Sequence, residues 1–505
     1  MLRPTLLAAI LLACLPASAQ TPGVPPHARG VLDGFAEAGS RPTPAERAAA
    51  TDALWSALAG ASRLPYAAAD TALFLWRGTA ASLAVAGDHT GWQPSQPLAR
   101  IPGTDVWVAQ AQFDPAARVD YKLVVGGSWV LDPNNPHQQW SGFGPNSELR
   151  MPAWTLAPET VYNPTIAHGT LGAAQTLQSA RYGAPVVYRV WTPAGYDAPG
   201  APLADLPVVY VTDGHEYADA RLGALPTVLD NRIADGTLPP CLAVFIDPRW
   251  QGQNRRQEQY VQNEGFAAFV ADELVPAIDA AYRTRPHRDA RVILGTSLGG
   301  LFSAYLGVRH PDTFGRLAIQ SPAFWVSENP QMWTGPSIYA LVGAAPGPFG
   351  IAMTTGTIRD TQDGARRMRD VLLAQARPLT YREVPEGHSW GNWRALLDDV
   401  LAPLLATGTT DTPEPATDGE TGLRLDVRPN PASGTAHLAF AMAQPGSATL
   451  TCTDTLGRTV ATLADGALPA GPHVRTLQGL APGRYACRLV QAGGQAATAS
   501  VTLLR

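Results

Sequence analysis

The chain is predicted to fold as a central α/β domain flanked by two β-sandwiches. Three observations carry this prediction. Apolar β-like runs alternate with helical stretches between about residues 160 and 407. Short β-like runs punctuated by Gly, Pro and Asp precede that region, and similar runs follow it. Between the centre and the tail, Thr407–Gly422 is rich in Thr, Asp, Pro, Glu and Gly and has no apolar periodicity, the composition of a solvated linker.

Size and composition agree with several domains. At 505 residues, 45% hydrophobic and 16% charged, the chain can bury more than one core. The formal charge of −5, with no Lys/Arg run, supplies no basic field for nucleic acid and argues against that partner.

In chain order, residues 1–19 read as an export signal. Arg3 is the positive start, Leu6–Leu15 the short apolar run, and Ala17-Ser18-Ala19 the small residues for cleavage. Leu11-Leu12-Ala13-Cys14 competes as a lipobox that would direct acylation of Cys14. No other stretch is long and apolar enough to be transmembrane. Residues 20–66 contain helix-like segments such as Pro44–Leu58, with Trp55 and Leu58 on one face. Residues 67–155 hold the runs Ala72–Trp76, Ser82–Ala86, Val106–Phe113 and Val119–Val125, which suggest a small sandwich. The α/β domain is assigned to 156–408, the linker to 409–422 and the second sandwich to 423–505. In that last module Cys452 and Cys487 could oxidise to a disulfide in an exported protein, whereas Cys241, beside Leu242–Ile246, reads as a buried thiol without a catalytic role. Heptads, tandem repeats, zinc-like Cys/His spacing and phosphate-binding Gly-rich loops are absent from the sequence.

Gly295-Thr296-Ser297-Leu298-Gly299-Gly300 fits the G-x-S-x-G pattern of a nucleophile elbow. The five-residue match is weak alone, and its context decides. Arg291–Leu294 is a strand candidate running into Gly295, and Leu301–Val308 reads as a helix that ends before Pro311. A turn this tight needs neighbours without bulk, which Gly295 and Gly299 provide, while Gly300 lets the helix pack closely on the strand. The alternative is an ordinary Gly-rich turn with a surface serine.

A nucleophilic serine needs a base and an acid, which follow it in the chain in the order acid, then His. His388, in Glu386-Gly387-His388-Ser389-Trp390, lies just past the strand-like run Thr380–Val384. Asp360 follows the run Gly350–Thr355 and Gly356 at another strand end. Asp363, three residues on, is its rival, and Asp360 is favoured because it is nearer the strand end. The N–H of Leu298 is the first expected oxyanion donor. The second is that of His215, after the strand Val208–Thr212 and Asp213-Gly214.

With these residues in place, the chain resembles the enterochelin esterase-like branch of the Putative esterase family, which also includes feruloyl and acetylxylan esterases, esterase D and mycolyltransferases. The resemblance rests on Val208–Glu216, on Asp247 with Arg256 and Glu258, on Asp272–Tyr282, and on the elbow. It also rests on His310-Pro311, Ser321-Pro322-Ala323-Phe324-Trp325, Gly356–Asp360 and Pro385–Trp393. It implies an α/β-hydrolase domain with Ser297, Asp360 and His388 as its catalytic triad. Gly87–Trp92, Trp107, Tyr121-Lys122 and Trp129 through Asp132-Pro133 resemble an early-set, glycogen-recognition-like module. Related modules bind glucans, but a packing role is favoured here because tryptophan is more often core. Pro429-Asn430-Pro431, Asp454 to Gly457, Gly479-Leu480 and Pro482–Tyr485 resemble a type IX secretion sorting domain, with Leu503-Leu504-Arg505 departing mildly from a more basic ending. An ordinary Ig-like β-sandwich would share the same physics.

These features point to two-step ester hydrolysis through an acyl-enzyme, without a metal or organic cofactor. The expected partners are a small-molecule or glycan-linked ester and the type IX secretion machinery, at the cell surface or outside the cell. Trp325 and Trp390 are expected to line the substrate pocket, and Arg256, with Arg249 and Arg255, to meet an anionic or catecholate group, with a solvated or ion-paired loop as the alternative. A siderophore lactone and an acylated plant sugar both fit as substrates, and the same triad would serve an acyltransferase. The rival from another class is a non-catalytic glycan-binding protein on a hydrolase scaffold.

Overall fold

Two helices open the described chain, α1 (Ala28–Gly39) and α2 (Pro44–Gly60). Thr43 and Glu46 cap α2 reciprocally, and Pro44 sits at its first position, where a missing N–H costs nothing. Val31, Phe35, Leu54 and Leu58 of these helices pack on Tyr66, Leu73, Leu75 and Val106 of the next region. The computed structural model describes residues 26–405, except 201, 348 and 376, and residues 425–504, except 429–431, 434, 443, 455–457, 482 and 492–495. The expected signal with Cys14, the linker 409–422, Pro429-Asn430-Pro431 and Arg505 lie outside the described residues.

Next comes a β-rich region of two sheets. Its main strands are β1 (Thr71–Arg77), β2 (Leu83–Gly87), β3 (Val106–Gln112), β4 (Arg118–Val125), β5 (Gln138–Ser141) and β6 (Gly144–Arg150). β1 and β3 pair in a four-stranded sheet, and β2, β4, β6 and β5 in a six-stranded one. Alternate residues from both sheets meet in one core: Ala72, Phe74 and Ala109 from the first, and Val85, Val119, Tyr121, Leu123 and Leu149 from the second. Trp92 and Trp107 are half-buried with their indole N–H groups bonded to Asp88 and to the Gly78 carbonyl, while Trp129 is exposed.

The α/β region is built on a nine-stranded sheet. Its principal strands are β7 (Pro185–Thr192), β8 (Val208–Val211), β9 (Leu242–Asp247), β10 (Arg291–Thr296), β11 (Arg316–Gln320), β12 (Gly350–Gly356) and β13 (Leu379–Val384). They lie in the order β7-β9-β8-β10-β11-β12-β13, with β7 antiparallel to β9 and every later pairing parallel. Covered on both faces, β8, β9 and β10 are almost wholly buried, which is why they read as unbroken apolar runs. Helices α3 (Leu225–Ala234) and α6 (Leu397–Leu405) pack on one face, and α4 (Leu298–Arg309) and α5 (Gln362–Ala374) on the other. The parallel order sends the C-terminal ends of β8, β10, β12 and β13 to one edge. Cys241 is fully buried, and burial pushes its thiol up to about 12, far from a reactive thiolate.

Residues from Gly408 onward form a separate unit with its own core. A three-stranded and a five-stranded sheet contribute Leu438, Phe440, Leu450, Leu489 and Val501 to it. Cys452 and Cys487 stand opposite each other on paired strands and are joined as a disulfide. Among the described residues, no helix is long and apolar enough to cross a membrane.

Candidate active site

Strand β10 ends at Thr296, and α4 begins at Leu298, so Ser297 alone makes the turn. Its backbone lies at φ 57° and ψ −118°, a region that side-chain-bearing residues rarely occupy. The turn is held by the Ser297 N–H donating to the Gln320 carbonyl and by the Ala323 N–H donating to the Ser297 carbonyl, each at 3.0 Å. A Cβ at Gly299 would sit 2.3 Å from Thr212 Oγ1, so only glycine lets the end of β8 come this close to the elbow.

His388 follows β13 and reaches both partners. Its Nε2 is 3.0 Å from Ser297 Oγ, and its Nδ1 is 2.6 Å from Asp360 Oδ1. The Asp360 side chain has no solvent exposure, against 36% for that of His388. Burial alone would raise the Asp360 carboxyl. The hydrogen bonds from His388, from the Ser321 hydroxyl and from the Gly356 N–H outweigh burial and hold it below its ordinary value. An ionised Asp360 only accepts, so Nδ1 carries the proton, Nε2 is the free acceptor, and the Ser297 hydroxyl donates to it. The structure thus brings Ser297, His388 and Asp360 into one hydrogen-bonded line. It leaves Asp363 outside, with its side chain 93% exposed near Arg366 on the first turn of α5.

The two expected oxyanion donors occupy neighbouring helix starts. Leu298 opens α4, and His215 is the second residue of the helical turn Gly214–Tyr217, so neither amide has an acceptor within its own helix. The His215 ring turns away toward Asp247, with Nδ1 3.5 Å from Oδ1, and burial lowers its pKa. Next to it, burial and the charge of Asp213 push the Glu216 carboxyl up to about 7.

Two expected pocket residues are placed otherwise. Trp390 does not line a pocket. It is 4% exposed and packs edge-on against Tyr217 and Trp393, because the helical turn Trp390–Ala395 points it into the apolar core. Trp393, which no motif singled out for this role, meets the His388 ring edge-on at 4.9 Å. Arg256 is tied up beneath the site. Its Nε donates to both oxygens of the buried Asp213, at 2.8 and 2.9 Å, and its Nη2 donates to the Thr296 carbonyl. It braces the ends of β8 and β10, the ion-paired alternative to a substrate contact, with 24% of its side chain still exposed. Arg249 pairs with Asp247. Trp325 is 57% exposed, two residues beyond the Ala323 amide that holds the elbow. Sequence reasoning also missed Ser321, whose hydroxyl donates to Asp360 Oδ2 at 2.5 Å; its only signal was its place in the Ser321–Trp325 motif.

Residues 179–404 match the family described as Putative esterase. The chain is 28% identical over 382 residues to the iron(III) enterobactin esterase of Dickeya dadantii, covering 65% of this chain and 82% of that protein. It is 25% identical over 229 residues to an endo-1,4-beta-xylanase/feruloyl esterase of Xylanibacter ruminicola, covering 44% of this chain and 31% of that one. Among solved structures, the enterobactin esterase of Shigella flexneri superposes with a TM-score of 0.54 at 24% identity, over 66% of this chain and 92% of that one. The ferric enterobactin esterase of Salmonella typhimurium gives 0.56 at 21% identity, over 66% and 93%. The α/β region thus shares the α/β-hydrolase-like fold of these enterobactin esterases and is similar in sequence to the Putative esterase family.

Proposed function

We propose that the protein is an exported serine carboxylester hydrolase of enterochelin esterase-like type. The observation that carries the serine mechanism is the hydrogen-bonded line Ser297–His388–Asp360 at the elbow. His388 Nε2 takes the hydroxyl proton as Ser297 Oγ attacks the ester carbonyl. The N–H groups of Leu298 and His215 receive the developing oxyanion, and the proton passes from His388 to the leaving alcohol. The acyl-enzyme is then cleaved by water activated by the same imidazole, and no step calls on a cofactor. Esterase homology supports the reaction class.

A second reading, a feruloyl- or acetylxylan-type carbohydrate esterase, is favoured by the similarity to the Xylanibacter ruminicola protein and by the exposed indole of Trp325. Export rests on the signal at 1–19 and on the resemblance of the C-terminal unit to a type IX sorting domain; the glycogen-recognition-like likeness of the N-terminal β region is kept at the same level. One experiment tests the core of the proposal. A fluorophosphonate should label the protein once per chain, and Ser297→Ala should abolish both labelling and hydrolysis across p-nitrophenyl, feruloyl, acetylxylan and catecholate siderophore esters. His388→Ala should lose about as much activity as Ser297→Ala, because nucleophile and base act as one unit. Full hydrolysis by Ser297→Ala would overturn the mechanism. A folded protein that takes no label and cleaves none of the esters would favour the glycan-binding alternative.

A further inference from the structure

The loop that carries His388 is held from the N-terminal β region by Arg118, with Trp154 beside it. Arg118, the first residue of β4, is fully buried. Its N–H donates to the Pro385 carbonyl at 3.2 Å. Its guanidinium then straddles the loop. Nε donates to Glu386 Oε2 at 2.7 Å, and Nη2 donates to Ser389 Oγ at 2.5 Å. These two anchors are the residues two before and one after His388. On its own side, Nη1 donates to Asp120 at 2.6 Å and to Glu148 at 3.4 Å. Trp154 Nε1 donates to the other oxygen of Glu386 at 3.1 Å.

The fit around this clamp leaves no slack. A Cβ at Gly387 would stand 2.2 Å from the Asp88 carboxyl carbon of the β region, and one at Gly391 would stand 2.3 Å from Arg118 Cζ. Burying a guanidinium is costly unless it is fully paired, and here three carboxylates and a hydroxyl surround it. Packing alone does not require such an arrangement. It does fix the loop at two points, and the imidazole between them must stay within hydrogen-bond reach of Ser297. A displacement of about 1 Å at a reacting group costs on the order of a hundredfold in rate.

We propose that Arg118 is a positioning residue for His388, so that the N-terminal β region is an obligate part of the active site and not an appended recognition module. This rests on His388 being the base, as proposed above, and the test separates the two. In the full-length chain, Arg118→Lys, Ser389→Ala and Glu386→Gln should each lower kcat, Arg118→Lys by about ten- to a hundredfold, while KM moves by less than about threefold. Circular dichroism and a thermal melt establish which variants are folded. In a His388→Ala background the same changes should cost nothing further, because they act through the imidazole. A folded Arg118→Lys with wild-type kcat overturns the proposal. Where Arg118→Lys does not fold, wild-type kcat in both Ser389→Ala and Glu386→Gln does so, as does a loss that persists undiminished without His388. Full activity in His388→Ala itself would instead overturn the assignment of the base.

Discussion

The two β-rich regions of this chain read alike in sequence and are built differently. The N-terminal one buries Arg118, Asp88, Asp120, Asp132 and Glu148 around its second sheet, and Arg118 bonds into the loop of His388. The core of the C-terminal one is apolar and closed by the Cys452–Cys487 disulfide, within a unit that starts at Gly408. Alternating apolar residues make a sheet with one face to hide, whatever it hides against. Buried charge is more telling, because it persists only where partners satisfy it. In the N-terminal region those partners include residues some 270 positions away in the chain, so that region is continuous with the α/β region.

The largest effect should come from removing that region. Deleting residues 26–152 exposes the Glu386 and Ser389 anchors and uncovers Gly387 and Gly391, so hydrolysis should fall below detection, measured on whichever ester the full chain cleaves best. A deletion variant that is soluble and fully active would erase the contrast between the two regions.

The second comparison lies within the α/β region and sets a scale for the first. Asp360→Asn removes the charge that fixes the His388 tautomer without touching either β region, and should cost about ten-thousandfold in kcat. Asp363→Asn should leave kcat unchanged, because that side chain is exposed on α5 and outside the hydrogen-bonded line. The reverse pattern would move the acid to Asp363 and leave the serine chemistry standing.

Much of the site was legible for a local reason. Strand ends, Gly295 and Gly299 at the elbow, and the order Ser297, Asp360, His388 are short-range features, and a parallel sheet carries them to one edge. The tryptophans were not. Trp390 lies nearer His388 in sequence than Trp393, but the helical turn they share buries both in one core and sets the second against the imidazole. Arg256 read as a substrate contact or an ion-paired loop residue, and the choice stayed open because its partner Asp213 is 43 residues away. Arg118 left no trace, since one arginine opening an apolar strand looks like an ordinary surface charge until the fold brings Glu386 beside it.

A smaller effect concerns the border between the N-terminal region and the site. Gly142, next to the fully exposed Phe143 in the β5–β6 hairpin, lies against Glu216: a Cβ there would be 2.7 Å from Oε1. With its carboxyl raised from 4.5 to about 7 by burial and by Asp213, folded Glu216 holds its proton more tightly than the unfolded chain does. Its contribution to stability is therefore fully present below about pH 4.5 and is lost as pH rises toward 7. Glu216→Gln should remove that slope, worth on the order of 1–3 kcal/mol, in melts recorded from pH 4.5 to 8. An unchanged slope would mean that the carboxyl is solvated and that the hairpin does not cover it.

The smallest effect on catalysis is expected at the other end of the chain. The C-terminal unit has its own sheets, its own core and its own cross-link, and no residue of the Ser297–His388–Asp360 line belongs to it. A chain truncated after Thr407 should keep the kcat and KM of the full protein, while export to the surface of a host with type IX secretion should be lost. Reduction should separate the regions again. Cys452 and Cys487 are 35 residues apart, and a bridge closing a loop of that size stabilises by about 3–4 kcal/mol. Dithiothreitol should therefore lower the melting temperature of an isolated 423–505 fragment and leave hydrolysis by the full chain untouched. Loss of activity on truncation, in protein that is still folded, would mean that the tail supports the site, and the contrast between the two β regions would then be one of degree.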